Sequence, residues 1–287
     1  MKKKIDLHTH STASDGTLTP EELALLAKEK GLCAIALTDH DTLDGVWAFR
    51  EACGKLGIEA VTGVEISAKY KKEMHILGLF VRPEDPEFEE KLRSLKNARL
   101  VRNQKVLALI QEQGMEITEA DLFAGKQSSG LEHIGRAHIA QALVRKGYAA
   151  DVQDAFDRYL RKGRSCYAER HTFSPEESIR IIKKAGGLAV LAHPIYITKE
   201  EEELRKVLTQ LKAYGLDGVE CYYSTYSKEY RDLCLRLSNE LGLLPSGGSD
   251  FHADNKPDIE LGIVCGGDFI DEQVLIDLKA HLNKNKM

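Results

Sequence analysis

The sequence lacks any long apolar run, and this absence argues against a membrane-spanning helix. None of its hydrophobic stretches approaches the roughly 20 residues that a helix needs to cross a bilayer. Its N-terminal lysines are followed by no apolar segment, so a secretory signal is not expected. We therefore expect a cytoplasmic protein that has no membrane partner, and the sequence implies no stable protein partner.

The cysteines lack any spacing that would bind a metal or form a disulfide framework. All six are far apart and form no CxxC pair, so free thiols, most of them in the core, are expected. The GxGxxG and GxxxxGK(S/T) motifs of nucleotide cofactors are missing, as is the GxSxG turn of serine hydrolases. Trp47, the single tryptophan, and Phe49 are predicted to pack within a helix and not to stack on bases.

Charge is unevenly distributed along the 287 residues. The chain is 43% hydrophobic and 30% charged, which favours a folded core over disorder. Its net charge is −5, but residues 91–170 contain 15 lysines and arginines against 9 acidic residues. That segment therefore carries +6 and the remainder −11. An acidic body that binds cations and a basic segment that meets an anion would give this pattern.

Short apolar strands alternate with amphipathic helices at both ends of the chain. Thr19 and Glu22 flank Pro20 in a capping box that starts the first helix. Repeated strand-then-helix units are typical of a parallel α/β sheet or barrel. The predicted strands are Lys4–His8, 33–38, Glu59–Ile66, His75–Val81, Leu188–Ala192, Gly218–Tyr222 and Leu243–Ser246.

Residues 97–170 interrupt this alternation with helical patterns and no strand. We predict an inserted helical subdomain between residues 1–96 and 171–287, which form one α/β body. On its first helix, Arg99 and Arg102 lie at i and i+3 and are expected to face solvent. The predicted helices are Arg99–Gln113, Ile134–Lys146 and Val152–Lys162.

Histidines and carboxylates collect at the predicted strand ends. Because functional groups of α/β barrels gather at the carboxyl ends of the strands, we expect most of these residues to meet. His75 is the exception, since it opens its predicted strand. Imidazole with carboxylate suits Mn²⁺, Zn²⁺ or Fe²⁺, and nine ligands indicate two or three ions that share a carboxylate. The nine are His8, His10, Asp15, His40, Glu65, His75, His193, Asp250 and His252.

Five short motifs contain most of these residues: Asp6-Leu7-His8-Thr9-His10-Ser11, Thr38-Asp39-His40-Asp41, Gly63-Val64-Glu65-Ile66-Ser67, Ala192-His193-Pro194 and Gly248-Ser249-Asp250-Phe251-His252. Together they resemble the motifs of the PHP (polymerase and histidinol phosphatase) family over residues 1–80 and 173–265. The resemblance implies an α/β fold, a distorted seven-stranded TIM-like (β/α) barrel with a trinuclear metal centre. It also implies action on phosphoesters.

By this resemblance the nine residues divide among three ions. Glu65 would bridge the first and second ions, and Glu65, Asp250 and His193 would carry the catalytic roles. Asp15 stands where some branches of the family have histidine, and an oxygen ligand there favours Mn²⁺ or Fe²⁺ over Zn²⁺. The implied sets are His8, His10, Glu65 and Asp250; then Glu65, His75 and His193; then Asp15, His40 and His252.

The inserted segment, with its motif over residues 134–140, resembles that of small stand-alone PHP phosphoesterases similar to 3′,5′-nucleotide bisphosphate phosphatases. In those enzymes a helical insert lies over the barrel mouth. Arg136 is the best candidate to bind a second phosphate, because a guanidinium matches phosphate oxygens in a bidentate manner. Lys162 and Arg170 are further candidates, and His138 is either a supporting group or plain helix surface.

These features predict a metal-dependent phosphoesterase that removes the 3′-phosphate of 3′,5′-bisphosphorylated nucleotides. Attack of a metal-bound hydroxide on phosphorus is the expected reaction. Short 5′-phosphorylated RNA offers the same end group and would be trimmed by the same site. Two to three divalent ions are expected as cofactors, with Mn²⁺ favoured and Fe²⁺ or Zn²⁺ as alternatives.

Two other functions stay open. A phosphatase for another small phosphomonoester, such as histidinol phosphate, would need an amine-binding pocket and no basic lid, so the +6 segment argues against it. A non-catalytic metal-binding module would be expected to have lost ligands, and none of the nine is missing.

Overall fold

The computed structural model describes residues 3–72, 74–123 and 130–284. It divides into two compact units, residues 1–91 with 173–287 and residues 92–172. Met1 and Lys2, the first two residues of the N-terminal segment that lacks a signal pattern, lie outside the described residues. Across the described part of the chain, no helix is both long and apolar enough to cross a membrane.

Eight strands form the sheet of the first unit: β1 (Lys4–Asp6), β2 (Leu32–Leu37), β3 (Glu59–Ala68), β4 (Met74–Leu79), β5 (Leu188–Leu191), β6 (Gly218–Tyr223), β7 (Leu244–Gly248) and β8 (Ile270–Asp271). Their order is β7-β6-β5-β4-β3-β2-β1-β8. The pairs within β1–β3 and within β5–β7 are parallel, as predicted. Strand β4, however, runs antiparallel to both β3 and β5.

The sheet of the first unit curves until β7 meets β1. Leu7 N donates to Gly247 O at 3.2 Å, and Asp250 N donates to His8 O at 2.9 Å. A Cβ atom on Gly248 would overlap the backbone of His8, so this close approach of the strands requires glycine. Seven strands thus form a nearly closed barrel, which confirms the predicted fold, and β8 is a short addition beside β1.

Ten α-helices are described: α1 (Pro20–Glu29), α2 (Val46–Leu56), α3 (Pro86–Glu112), α4 (Glu119–Phe123), α5 (Arg136–Arg145), α6 (Val152–Ala155), α7 (Pro175–Lys184), α8 (Glu201–Ala213), α9 (Lys228–Leu241) and α10 (Gln273–Lys284). A π-helical turn, Phe156–Leu160, follows α6. Thr19 and Glu22 form the predicted capping box of α1.

Strand β2 shows why the barrel strands are apolar on both faces. Ala34 and Ala36 pack into one buried cluster with other barrel strands, and Ile35 packs into a second cluster with α1 and α2.

Phe49 of α2 is buried in the second cluster, as predicted. The packing prediction for Trp47 is wrong: its ring faces solvent, where the Arg50 guanidinium lies 5.0 Å from the ring centroid. All six cysteines are free thiols, as expected.

The second unit has a hydrophobic core of its own, which includes Ile110 and Leu143. Its described residues, 92–123 and 130–172, contain helices and no strand. Helix α3 begins 13 residues before the predicted start at Arg99 because Asp85 caps it, accepting from Phe88 N at 3.0 Å. Placement of this segment over an active site stays a prediction.

The predicted solvated face of Arg99 and Arg102 is wrong. Both side chains are buried in the second unit. Charged groups at this depth require partners, and each of these arginines has one. A spacing of i and i+3 indicates which residues share a helix face but does not indicate whether that face is covered.

Candidate metal centre

The nine predicted ligands lie together at one edge of the barrel. They come from strand ends and the loops that follow, and a backbone bridge holds His40 beside Glu65. Their division among individual ions stays a prediction. All nine occur in four overlapping groups whose ligand atoms lie within 4.8 Å of one another: His10, Asp15, His40 and His252; His8, His10 and Glu65; His8, His193 and Asp250; and His40, Glu65 and His75.

His75 reaches this edge because β4 runs antiparallel to its neighbours. It is the second residue of β4 and lies opposite Ser67, near the end of β3. Its main-chain oxygen accepts from Ala192 N at 3.1 Å, just after β5. The start of β4 therefore meets the carboxyl ends of both adjacent strands, whereas a fully parallel sheet would place this histidine at the opposite edge.

Glu65 is the buried centre of the cluster, with five imidazoles around its carboxylate. Oε1 lies 2.9 Å from His75 Nδ1 and 2.8 Å from His193 Nε2. The nitrogens that face Oε2 are His40 Nδ1 at 3.0 Å, His10 Nε2 at 3.3 Å and His8 Nε2 at 3.5 Å. A carboxylate whose two oxygens face separate sets of histidines is suited to bridging two cations.

Asp15 occupies the part of the cluster that contains His252 and His40. Its Oδ1 lies 3.2 Å from His252 Nε2, and its Oδ2 lies 3.6 Å from His40 Nε2. The other ring nitrogen of His252, Nδ1, is 2.8 Å from the main-chain oxygen of Asp250. This contact fixes the ring and leaves Nε2 directed at the cluster, as in metal sites where a backbone carbonyl orients a histidine.

Asp250 is held on one oxygen and presents the other to the cluster. Its Oδ2 accepts from the Tyr223 hydroxyl at 2.7 Å and from Lys256 Nζ at 2.5 Å, while Oδ1 lies 3.3 Å from His10 Nε2. Its φ is +58°, a strained value that is common at functional sites. Tyr223 and Lys256 were not predicted from the sequence, because nothing in their local sequence indicates that they reach Asp250.

Several buried atoms of the cluster have no hydrogen-bond partner within the described residues. They are His8 Nε2, His10 Nε2, His40 Nδ1 and Glu65 Oε2, which are close to one another but not aligned as hydrogen bonds. Leaving buried polar atoms without partners costs free energy, so an arrangement of this kind indicates a ligand. Imidazole nitrogens and carboxylate oxygens that converge in this way fit divalent transition-metal ions.

Glu220 of β6 supports two of the predicted ligands. Its Oε1 lies 3.0 Å from His8 Nδ1, and its Oε2 accepts from the main-chain N of His193 at 2.7 Å. The carboxylate therefore fixes the His8 ring with Nε2 free for a metal. Glu220 was not predicted from the sequence. A glutamate within the apolar strand Gly218–Tyr223 could have indicated it, since an isolated buried carboxylate requires a partner.

The Glu220→Gln variant is expected to bind divalent metal about 10- to 100-fold more weakly, because a neutral amide orients the His8 ring less firmly. Calorimetric titration of the chelated protein with Mn²⁺ measures this change. Glu229→Gln, on the exposed surface of α9, is the matched control and is expected to bind Mn²⁺ like the wild type. Equal affinity in both variants would remove Glu220 from the support of the site.

Opposite charges in the cluster shift several pKa values strongly. Burial would lower the pKa of His10, but the carboxylates of Asp250 and Glu65 outweigh it and raise that pKa to about 9. Burial also disfavours charged His8, yet Glu220, Glu65 and Asp250 hold its pKa well above the usual range. Burial would raise the pKa of Glu65, but the neighbouring histidines hold it well below its usual range. A metal ion bound here would therefore compete with protons for these side chains.

The four predicted substrate-binding residues lie in the second unit. Arg136 is the exposed first residue of α5, Lys162 is exposed, and Arg170 is half-buried. His138 is buried, and its Nδ1 accepts from Gly135 N at 3.0 Å at the start of α5. The plain-surface alternative for His138 is therefore wrong, because the side chain caps a helix. The roles of these residues in substrate binding stay predictions.

Several known proteins are similar to this chain. The PHP domain model matches residues 6–170. The chain is 36% identical over 253 residues (88% of it, 91% of the relative) to a 5′-3′ exoribonuclease of Haemophilus influenzae. It is 32% identical over 261 residues (90% of each) to a 3′,5′-nucleoside bisphosphate phosphatase of Chromobacterium violaceum. A solved structure from Bifidobacterium adolescentis, assigned as a metal-dependent phosphoesterase, has a TM-score of 0.82, 30% identity, and coverage of 97% of this chain and 96% of that one. The chain belongs to the PHP domain family.

Proposed function

We propose that this chain is a metal-dependent phosphoesterase that removes the 3′-phosphate of 3′,5′-bisphosphorylated nucleotides. The buried cluster of nine ligands around Glu65 carries the proposal. The names of two relatives, a nucleoside bisphosphate phosphatase and a 5′-3′ exoribonuclease, support a nucleotide or a short 5′-phosphorylated RNA as substrate. Two to three divalent ions, with Mn²⁺ favoured, would occupy the cluster.

The residues of the chain would fix the geometry of the reaction. Bound divalent ions would supply an activated water and neutralise charge on the phosphoryl group. Glu65 would help to hold the ions, since each of its oxygens faces a separate set of histidines. Glu220 would keep His8 Nε2 directed at the cluster. Tyr223 and Lys256 donate to Asp250 Oδ2, so Oδ1 would be the carboxylate oxygen available to the metal ions. Such preorganised groups need no rearrangement as the transition state forms.

Arg136→Ala is expected to lower kcat/KM for the bisphosphate by about 10- to 150-fold, the effect of losing a charge-assisted hydrogen bond worth about 1.5–3 kcal/mol. The physical reason is the loss of the guanidinium that would anchor the 5′-phosphate. Phosphate release and bound metal per chain are measured together, and metal content is expected to stay at the wild-type level. Arg145→Ala, at the other end of α5, is the control. Unchanged kinetics in Arg136→Ala would show that this residue does not bind the second phosphate.

The test of the proposed function compares substrates on one Mn²⁺-loaded preparation. Phosphate release is measured from adenosine 3′,5′-bisphosphate, adenosine 5′-monophosphate and histidinol phosphate, and strong preference for the bisphosphate is expected. Preference for histidinol phosphate would favour the other phosphatase. A preparation with bound metal that hydrolyses none of these, nor p-nitrophenyl phosphate, would favour a non-catalytic metal-binding module.

A further inference from the structure

Tyr196 presents an exposed aromatic ring beside the candidate metal centre. It lies in the 3-10 turn Pro194–Tyr196, which directly follows His193. Its ring centroid is 5.1 Å from that of His193, with the planes inclined at 62°. The side chain is nevertheless 48% exposed. A large aromatic surface is thus open to solvent next to a predicted metal ligand.

The ring of Tyr196 is held in place by the same network that orients Asp250. The Tyr223 hydroxyl donates to Asp250 Oδ2 at 2.7 Å, so its oxygen can accept from the Tyr196 hydroxyl, 3.3 Å away. The Tyr223 ring packs edge-on at a centroid distance of 6.2 Å. The main-chain N of Tyr196 also donates to His193 O at 3.1 Å. A ring fixed in this way loses little conformational entropy when a ligand stacks on it.

Within the described residues, Trp47 and Tyr196 are the two aromatic side chains among the exposed large hydrophobic residues. Trp47 lies on α2 with Arg50 over its ring. Tyr196 lies beside the cluster, which consists of histidines and carboxylates, with Tyr223 and Lys256 bound to Asp250. The charged groups account for binding of phosphate, but they do not account for an exposed aromatic surface at this position.

We propose that Tyr196 is the base-binding subsite, on which the nucleobase of the substrate stacks. This inference rests on the proposed nucleotide phosphatase function and names the group that would select nucleotides over other sugar phosphates. Stacking on one aromatic ring is tolerant of base identity, so the subsite would accept all four bases. Loss of such a contact changes binding by about 5- to 100-fold.

The test measures how much the nucleobase contributes to kcat/KM in each variant. The ratio of kcat/KM for adenosine 3′,5′-bisphosphate to that for its abasic analogue, 1,4-anhydroribitol 3,5-bisphosphate, is determined on Mn²⁺-loaded protein. Tyr196→Ala is expected to lower this ratio about 5- to 100-fold. Tyr196→Phe keeps the ring and is expected to retain the ratio within about threefold, as is Trp47→Ala, which removes an exposed aromatic elsewhere.

Calorimetric binding of the two products, adenosine 5′-monophosphate and 1,4-anhydroribitol 5-phosphate, gives a second readout that does not depend on turnover. A wild type that hydrolyses neither bisphosphate would contradict the proposed function. The ratio of the affinities for the two products, compared between Tyr196→Ala and the wild type, would still show whether Tyr196 binds the base. A ratio in Tyr196→Ala equal to the wild-type ratio would overturn the inference. If the ratio fell as far in Tyr196→Phe as in Tyr196→Ala, the inference would also be overturned, because the hydroxyl would then have a structural role.

Discussion

The Glu65→Gln variant is expected to lose at least about 10³-fold in kcat/KM for adenosine 3′,5′-bisphosphate, because charge stabilisation by a metal site is worth several kcal/mol and each 1.36 kcal/mol is tenfold. Glutamine keeps the shape of the side chain but removes the charge that faces five imidazoles. Without it, two cations would no longer share an anionic bridge. Bound metal per chain is therefore expected to fall with activity, and both are measured on one preparation.

Glu59→Gln is the matched control for this variant. Glu59 lies on the same strand, β3, but is exposed and pairs with Lys279 at the surface. It is expected to keep wild-type activity and metal content. Thermal unfolding of both variants separates loss of the site from loss of the fold. A Glu65→Gln protein that retains activity within tenfold of the control would contradict the bridging role of Glu65.

Removal of metal by a chelator is expected to reduce hydrolysis to the uncatalysed background, and added Mn²⁺ is expected to restore it. Binding requires neutral imidazoles, so an ion held by His8 and His10 must displace the protons of these two histidines. The pKa of His10 is about 9 and that of His8 is also raised, against an ordinary value of about 6.5. Apparent Mn²⁺ affinity should therefore rise from pH 6.5 to 9, by about tenfold per pH unit for each proton displaced.

Stability of the chelated protein should change with pH in the opposite direction. His8 and His10 have raised pKa values, so they stabilise the fold fully below about pH 6.5, and each contribution is lost as the pH rises through the raised pKa, which is about 9 for His10. Thermal midpoints of the chelated protein should fall over that interval, while the gain from added Mn²⁺ grows. Parallel pH dependence with and without Mn²⁺ would show that the histidines are not ligands.

The strand pattern and the ligand motifs could be predicted from the sequence because each depends on residues that are adjacent in the chain. Buried strands such as β2 are apolar on both faces, and histidines stand directly after them. Strand direction is not local, so the antiparallel β4 was missed and His75 had no clear place until its pairing with β3 and β5 was known. Burial of helix faces is set by tertiary packing, and Arg99 and Arg102 were misjudged for that reason.

Supporting residues were harder to predict than ligands. Glu220 and Tyr223 contact predicted ligands that are at least 27 residues away in sequence, whereas Lys256 lies only six residues from Asp250, and no short motif marks any of the three. Tyr196 is comparable, since its exposure follows from the turn after His193 and not from any periodic pattern. Sequence alone therefore indicates the metal chemistry, whereas the groups that orient it and that would select a substrate require the folded chain.

Anomalous diffraction from crystals of the chain soaked in Mn²⁺ would test the central claim most directly. We expect two or three manganese peaks within the cluster, with Glu65 between two of them and ligands drawn from the nine predicted residues. An absence of peaks at this edge of the barrel, or manganese bound only elsewhere, would contradict the assignment of a metal-dependent active site here.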